Sequence, residues 1–321
     1  MNGGPLRAAI AAAAERLSRA GIDSARTDAE LLAAHVAGTE RGRLALLEAP
    51  GPAFFDRFDA AVTTRAQRIP LQHITGRAAF GPAHLQVGPG VFIPRPETES
   101  LLEWALAQDL PPTPLIVDLC TGSGALAIAL AAALPGARII AVDDDAAALD
   151  YARRNVADTA VHLVAGDVTD PDLLPDLVGW VDLVVANPPY IPDGAVLEPE
   201  VAQHDPAHAL YGGVDGMSVI TPIVIRAATW LAPGGLLAVE HDDSTAQATV
   251  DAVAAVPIPG SLRSCPPVPT PGSLRSCPPV PIPGSLRSCP PVRAFSDITA
   301  HRDLTGRPRF VTAVRTTGGA P

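Results

Sequence analysis

From residue 115 onward the sequence alternates short, uninterrupted apolar runs with helix-forming stretches, and no other feature restricts its possible folds so strongly. Leu115 to Leu119, Arg138 to Val142, Val161 to Val164, Val181 to Ala186 and Leu236 to Glu240 read as strands. Between them, Ala125 to Leu134, Ala147 to Val156 and Ser218 to Leu231 read as helices. A strand with one wet face would alternate apolar with polar residues. These do not, so both faces must be covered, and strands joined through helices run parallel. Two further strands, Phe295 to Thr299 and Phe310 to Val314, flank a Thr305-Gly306 turn and predict a closing antiparallel hairpin. The expectation is an α/β fold with a mostly parallel, seven-stranded sheet.

Upstream, residues 1–70 carry a helical period. Pro5 to Ile22 is amphipathic, Ser24 or Thr27 can cap a second helix through Leu32 to Val36, and Phe54 to Ile69 forms a third. Residues 71–96 read as a β-hairpin linker, with strands at His73 to Gly76 and His84 to Val87 about a Gly81-Pro82 turn. Phe92 to Pro96 is extended, because each proline pushes its predecessor out of the helical region. Glu97 starts a helix to Leu106 and opens a third region, 97–321, in which Glu97 and Glu99 favour the helix start.

A 12-residue unit, Pro-x-Pro-Gly-Ser-Leu-Arg-Ser-Cys-Pro-Pro-Val, occurs three times over residues 257–292. Its proline density forbids a helix or central strand, so a disordered or extended surface insert is expected. Three of the four cysteines belong to it, which leaves neither a disulfide framework nor a metal-ligand cluster. His73, His204, His208 and His241 lack metal-ligand spacing as well, and no metal is expected.

The net charge is −11 and every basic residue other than histidine is Arg. That balance argues against stable nucleic-acid binding, which neutralises phosphates. The longest apolar run, Ala125 to Leu134, is too short for a bilayer, and Arg7, Glu15, Arg16 and Arg19 interrupt any leader-like stretch. A cytoplasmic protein without membrane association is expected, and a monomer.

Asp118-Leu119-Cys120-Thr121-Gly122-Ser123-Gly124 follows the first strand and precedes a helix. Glycines there let the backbone turn tightly and approach a ligand. Asp143, about 20 residues on, ends the next strand where it can accept from ribose hydroxyls. The pattern fits either S-adenosylmethionine or a nicotinamide dinucleotide. Asp167, with Val168 beside it, ends the third strand; it can accept from an adenine amino group or cap a following helix.

Asn187-Pro188-Pro189-Tyr190 directly follows a buried strand. Two prolines fix φ and remove two donors, leaving a rigid rack of acceptors with an aromatic lid. A carboxamide nitrogen is a poor nucleophile because its lone pair is delocalised. If the Asn187 side-chain oxygen and a proline carbonyl accept its two N–H bonds, the lone pair can turn toward an incoming methyl group. Tyr190 would cover the planar group. Catalysis would then come from positioning and charge placement rather than a strong base.

These segments resemble the HemK or PrmC type of protein-(glutamine-N5) methyltransferase. The likeness covers most of the chain: the helical start, Pro70 to Gly76, Phe92 to Glu99, Asp118 to Gly124, Asn187 to Tyr190, and Arg307 to Phe310. It implies a class I, Rossmann-like methyltransferase domain behind an N-terminal substrate-recognition domain. It implies an S-adenosylmethionine pocket lined by Cys120 to Gly124, Asp143, Asp167, Val168 and Asn187. It also implies that Asn187 to Tyr190 grip the glutamine in the Gly-Gly-Gln loop of a peptide chain release factor. Two departures stand out: Cys120 occupies a position that is Gly in many relatives, and the proline repeat enters where the family has a short connection. Other readings are a ribosomal-protein target, an adenine-N6 nucleic-acid methyltransferase, and a release-factor-docking module with impaired catalysis.

Overall fold

The computed structural model describes residues 4–47, 50–258 and 293–317. The repeat reading, on residues 257–292, falls almost wholly outside them. Helices α1 (Gly4–Arg19), α2 (Ala25–Ala37) and α3 (Pro52–Ala66) pack around a core of their own, in which Leu17 and Leu32 are fully buried. Each such leucine contributes about 1.5–3 kcal/mol. Gly38, in the left-handed region at φ 66°, ends α2. Arg65 on α3 and Asp28 on α2 form a buried ion pair at 2.7 Å.

The linker departs from expectation at one point. Leu71–Thr75 is a single helical turn, α4, rather than part of a strand. The Thr75 hydroxyl donates to the Leu71 carbonyl, and Gly76, at φ 69°, returns its N–H to the Gln72 carbonyl at 2.8 Å. This closure outweighs the strand-like composition, and the hairpin begins later, as β1 (Arg77–Phe80) and β2 (Ala83–Gln86). Helix α5 (Glu99–Leu106) follows a short 3-10 turn at Pro96–Thr98.

The remaining chain runs β3 (Leu115–Leu119), α6 (Ala125–Ala133), β4 (Arg138–Asp143), α7 (Ala146–Asn155), β5 (His162–Ala165) and β6 (Val181–Ala186). It continues α8 (Pro199–His204), α9 (Ile220–Trp230), β7 (Leu231–Glu240), α10 (Ala246–Ala255), β8 (Phe295–Arg302) and β9 (Pro308–Arg315). The seven strands lie in the order β5-β4-β3-β6-β7-β9-β8, parallel up to β7 and antiparallel through β9 and β8. All five residues of β3 are buried, as a central strand covered on both faces requires. One face packs on α9 and α10, the other on α5, α6 and the β1–β2 hairpin.

Helix α8 carries no apolar period and was not expected. It bridges the two halves of the molecule: Glu200 meets Arg65 at 3.0 Å and Arg68 at 3.4 Å, and the His204 ring meets His73 edge-on. Just beyond it, Asp205 pairs with Arg95. Among the described residues no helix is long and apolar enough to cross a membrane.

Candidate active site

The strand order reverses at β3, whose neighbours are β4 on one side and β6 on the other, and a cavity of about 490 Å³ opens at the carboxyl ends of these strands. Its first wall is the turn after β3. Cys120 takes φ +57°, and Gly122 the same angle. Asp118 ties this turn to α6: its Oδ2 accepts from the Thr121 hydroxyl and from the Ala127 N–H at 3.1 Å. Asp143, at the end of β4, accepts from Gly122 N at 2.8 Å through Oδ2 and from Asp145 N at 3.0 Å through Oδ1. Each oxygen keeps a second lone pair for a ligand.

Cys120, Thr121, Gly122, Ser123, Asp143, Asp167 and Val168 all line the cavity. Gly124 stands one layer behind; a Cβ there would press Ile128 at 3.2 Å, so it serves the packing of α6. Asp167 caps no helix. Its Oδ1 accepts from the Thr169 N–H and hydroxyl, both at 2.7 Å, which holds its carboxyl below the usual range. Burial pushes Asp118 up to about 7 and raises Asp143. Burial and the surrounding aspartates push up the Cys120 thiol, leaving it neutral.

The wall therefore presents acceptors and negative charge. Among the described residues, Asp118 Oδ1, in a fully buried residue that lines the cavity, has no hydrogen-bond partner. A ligand carrying a sulfonium, an ammonium and a ribose diol supplies what such a wall lacks. A pyrophosphate, as in a dinucleotide, would meet Asp118, Asp143, Asp144 and Asp167 with like charge. The residues fit S-adenosylmethionine.

The second wall starts where β6 ends. Asn187, Pro188, Pro189 and Tyr190 line the cavity beside the turn after β3. Their backbone is held from behind by the loop that precedes α9. Ile191 N donates to Leu210 O and Gly212 N to Ile191 O, each at 2.9 Å. A Cβ on Gly212 would lie 2.6 Å from the Pro189 carbonyl, and one on Gly216 2.4 Å from that of Tyr190. Only glycine allows this approach.

The side chains are anchored from three other segments. Asn187 Nδ2 donates to Thr98 Oγ1 at 3.1 Å, and the Tyr190 hydroxyl donates to Glu240 Oε1 at 3.0 Å. Arg309, from β9, lines the same cavity, and Asp303 Oδ2 holds it through two contacts of 3.2 Å. Burial raises Glu240 to about 7, opposed by the Thr98 and Tyr190 hydroxyls and by Arg309. Burial and the nearby Glu240 charge keep Tyr190 protonated. Sequence reasoning assigned no site role to Thr98, Glu240, Arg309, Gly212 or Gly216. The one available signal was Glu240, a carboxylate closing an otherwise apolar strand. Arg95 also lines the cavity, where it pairs with Asp205 and stacks 4.9 Å over Phe92.

Residues 8–76 match the PrmC N-terminal domain family, and residues 97–209 match the methyltransferase small domain family. A release factor glutamine methyltransferase from Mycobacterium tuberculosis is 56% identical over 314 residues, 97% of this chain and 91% of that protein. The chain belongs to the release factor glutamine methyltransferases. Another member, from Streptomyces coelicolor, is 49% identical over 74% of this chain and 85% of its own. The chain is accordingly an enzyme, a methyltransferase whose cofactor is S-adenosylmethionine. A 4-amino-L-phenylalanine/4-methylamino-L-phenylalanine methyltransferase from Streptomyces pristinaespiralis is also similar, at 42% identity over 74% of this chain and 82% of its own.

Proposed function

We propose that this enzyme methylates N5 of the glutamine in the Gly-Gly-Gln loop of a peptide chain release factor. The carrying observation is Asn187: its Nδ2 is engaged by Thr98, while its Oδ1 accepts no hydrogen bond from the described residues at the wall of an acid-lined cavity. When bound, S-adenosylmethionine supplies an electrophilic methyl group on a sulfonium sulfur.

The chain's own residues do the rest. Asp143 takes the ribose hydroxyls, Asp167 and Val168 flank the adenine, and the turn from Cys120 to Ser123 cradles the amino-acid end. Asn187 Oδ1 and the Pro188 carbonyl accept the two N–H bonds of the substrate carboxamide, which aims the nitrogen lone pair at the methyl group. Tyr190, fixed through its hydroxyl, covers the amide plane and keeps water out. Methylation makes the nitrogen acidic, so the proton leaves after transfer without a base to remove it first. Positioning supplies the acceleration.

The N-terminal helices, tied to the site through α8, hold the protein partner. A target that acts on the ribosome places the enzyme in the cytoplasm. The test is intact-mass and peptide-mapping analysis of an unmethylated release factor incubated with enzyme and S-adenosylmethionine, with duplex DNA in parallel. One methyl group on the Gly-Gly-Gln glutamine is the expected result. Methylated adenine, or no transfer to the release factor despite cofactor binding, would overturn the proposal.

A further inference from the structure

Two polar atoms behind Asn187 have unfilled valences. Thr98 is 4% exposed, and its Oγ1 accepts from Asn187 Nδ2, which leaves its own proton for another acceptor. Glu240 is 1% exposed; Oε1 accepts from Tyr190, and among the described residues no donor meets Oε2 in full hydrogen-bonding geometry. Both residues line the cavity beside Asn187 and Tyr190, and the Thr98 hydroxyl lowers the Glu240 pKa against the effect of burial.

We infer that Thr98 and Glu240 are positioning residues that fix which way round the Asn187 carboxamide stands: Glu240 accepts a hydrogen bond from the Thr98 hydroxyl, Thr98 is left only as an acceptor toward Asn187, and Asn187 must turn Nδ2 toward it and Oδ1 toward the substrate. The two ends of a carboxamide have nearly the same shape, so packing alone does not choose between them. Hydrogen-bond polarity does. In the flipped state Asn187 would aim a donor at the substrate's own N–H, and the Thr98 proton would have to leave a buried carboxylate. Tyr190 holds the other carboxylate oxygen, and the Arg309 charge favours the ionised form. The chain of polarity runs from Glu240 through Thr98 to Asn187, and so links β7, the turn before α5 and the end of β6. It rests on the reading that Asn187 Oδ1 accepts a substrate N–H.

Three variants test it. Thr98→Val removes the hydroxyl at nearly constant shape, and Thr98→Ser keeps it. Glu240→Gln keeps the outline but can place a donor against Thr98, which turns the Thr98 proton toward Asn187. Thr98→Val and Glu240→Gln should each lower kcat on the release factor about tenfold or more, the scale of one polar contact turned from favourable to opposed. Cofactor affinity should stay within about twofold, because neither side chain is assigned a contact with it. Thr98→Ser should recover most of the loss.

A second readout needs no turnover: the Asn187 side-chain amide signals in ¹⁵N–¹H spectra of the cofactor-bound enzyme. A hydrogen-bonded Nδ2 proton should be present in the wild type and Thr98→Ser, and absent in the other two, with melting curves confirming that each variant is folded. Wild-type kcat and an unchanged Asn187 signal in Glu240→Gln would overturn the inference. So would Thr98→Ser failing as badly as Thr98→Val, which would point to methyl packing. If the wild type does not methylate a release factor, the proposed function fails, and the spectra still decide the orientation of Asn187.

Discussion

The two walls of the cavity are built on opposite plans. The cofactor wall is local: β3, its turn, β4 and the end of β5 are consecutive in the chain, and backbone N–H groups of one turn satisfy the carboxylate of the next. The substrate wall is assembled from distant pieces. Asn187 leans on Thr98 across 89 residues, Tyr190 on Glu240 across 50, and Arg309 arrives from the last strand. A local wall binds with a preset geometry, whereas the distant wall is complete only once the whole sheet has formed. The two can therefore be damaged separately.

The largest separation is expected at Asn187. Asn187→Ala should lower kcat by about 10²–10³-fold, the range for loss of one preorganised polar group in a reacting site. Melting temperature and cofactor dissociation constant, the latter from calorimetry, should change little. A variant that retained wild-type turnover would remove the substrate wall from the mechanism.

Asp143→Ala strikes the other wall. It deletes the acceptor of the Gly122 and Asp145 N–H groups as well as the proposed ribose contact. Cofactor binding should weaken by about 10- to 100-fold, as for loss of hydrogen bonds to a charged group, while kcat at saturating cofactor falls far less. Equal losses in kcat and affinity would mean that the walls are not independent.

The same wall should respond to pH. Asp118 is raised to about 7 and Asp143 is raised from its ordinary value, both first by burial. A carboxyl whose folded pKa lies above its unfolded one stabilises the empty protein at low pH, and this contribution is lost as pH rises through about 7. The charge that then appears favours a cationic ligand. Between pH 6 and 8 the empty protein should lose melting temperature, while the cofactor dissociation constant falls by several-fold, up to about tenfold. Asp118→Asn should flatten that slope, and a slope unchanged in this variant would assign the effect elsewhere.

The same contrast explains what could be read from the sequence. The sheet was legible because each central strand is an unbroken apolar run, and the cofactor wall because its residues fall within one β-turn-α unit and its successor. Asn187 to Tyr190 was legible because two prolines beside a buried strand have few other uses. Thr98, Glu240 and Arg309 were not, since a threonine, a glutamate and an arginine acquire meaning only from the partners the sheet brings to them. Helix α8 was hidden for a related reason: its six residues hold Glu200 for a contact to α3 and His204 for one to α4, and bury no residue of their own. Leu71–Thr75 misled through composition, and one left-handed glycine decided it.

The finest distinction between the walls concerns Cys120. If the cofactor wall works through its backbone, the side chain at this position should matter only through strain. A non-glycine residue at φ +57° costs about 1–2 kcal/mol. Glycine removes that cost but gives the unfolded chain more freedom, which offsets about 0.5–1 kcal/mol. Cys120→Gly should therefore stabilise the protein by no more than about 1.5 kcal/mol, visible as a rise of at most about 3–6 °C in melting temperature. The thiol is neutral and donates no charge to the cavity, so cofactor affinity and kcat should hold. Cys120→Val, which puts a β-branched residue in the left-handed region, should move stability the other way. A loss of cofactor affinity in Cys120→Gly at unchanged stability would show that this wall too depends on a side chain, and the contrast between the two walls would narrow.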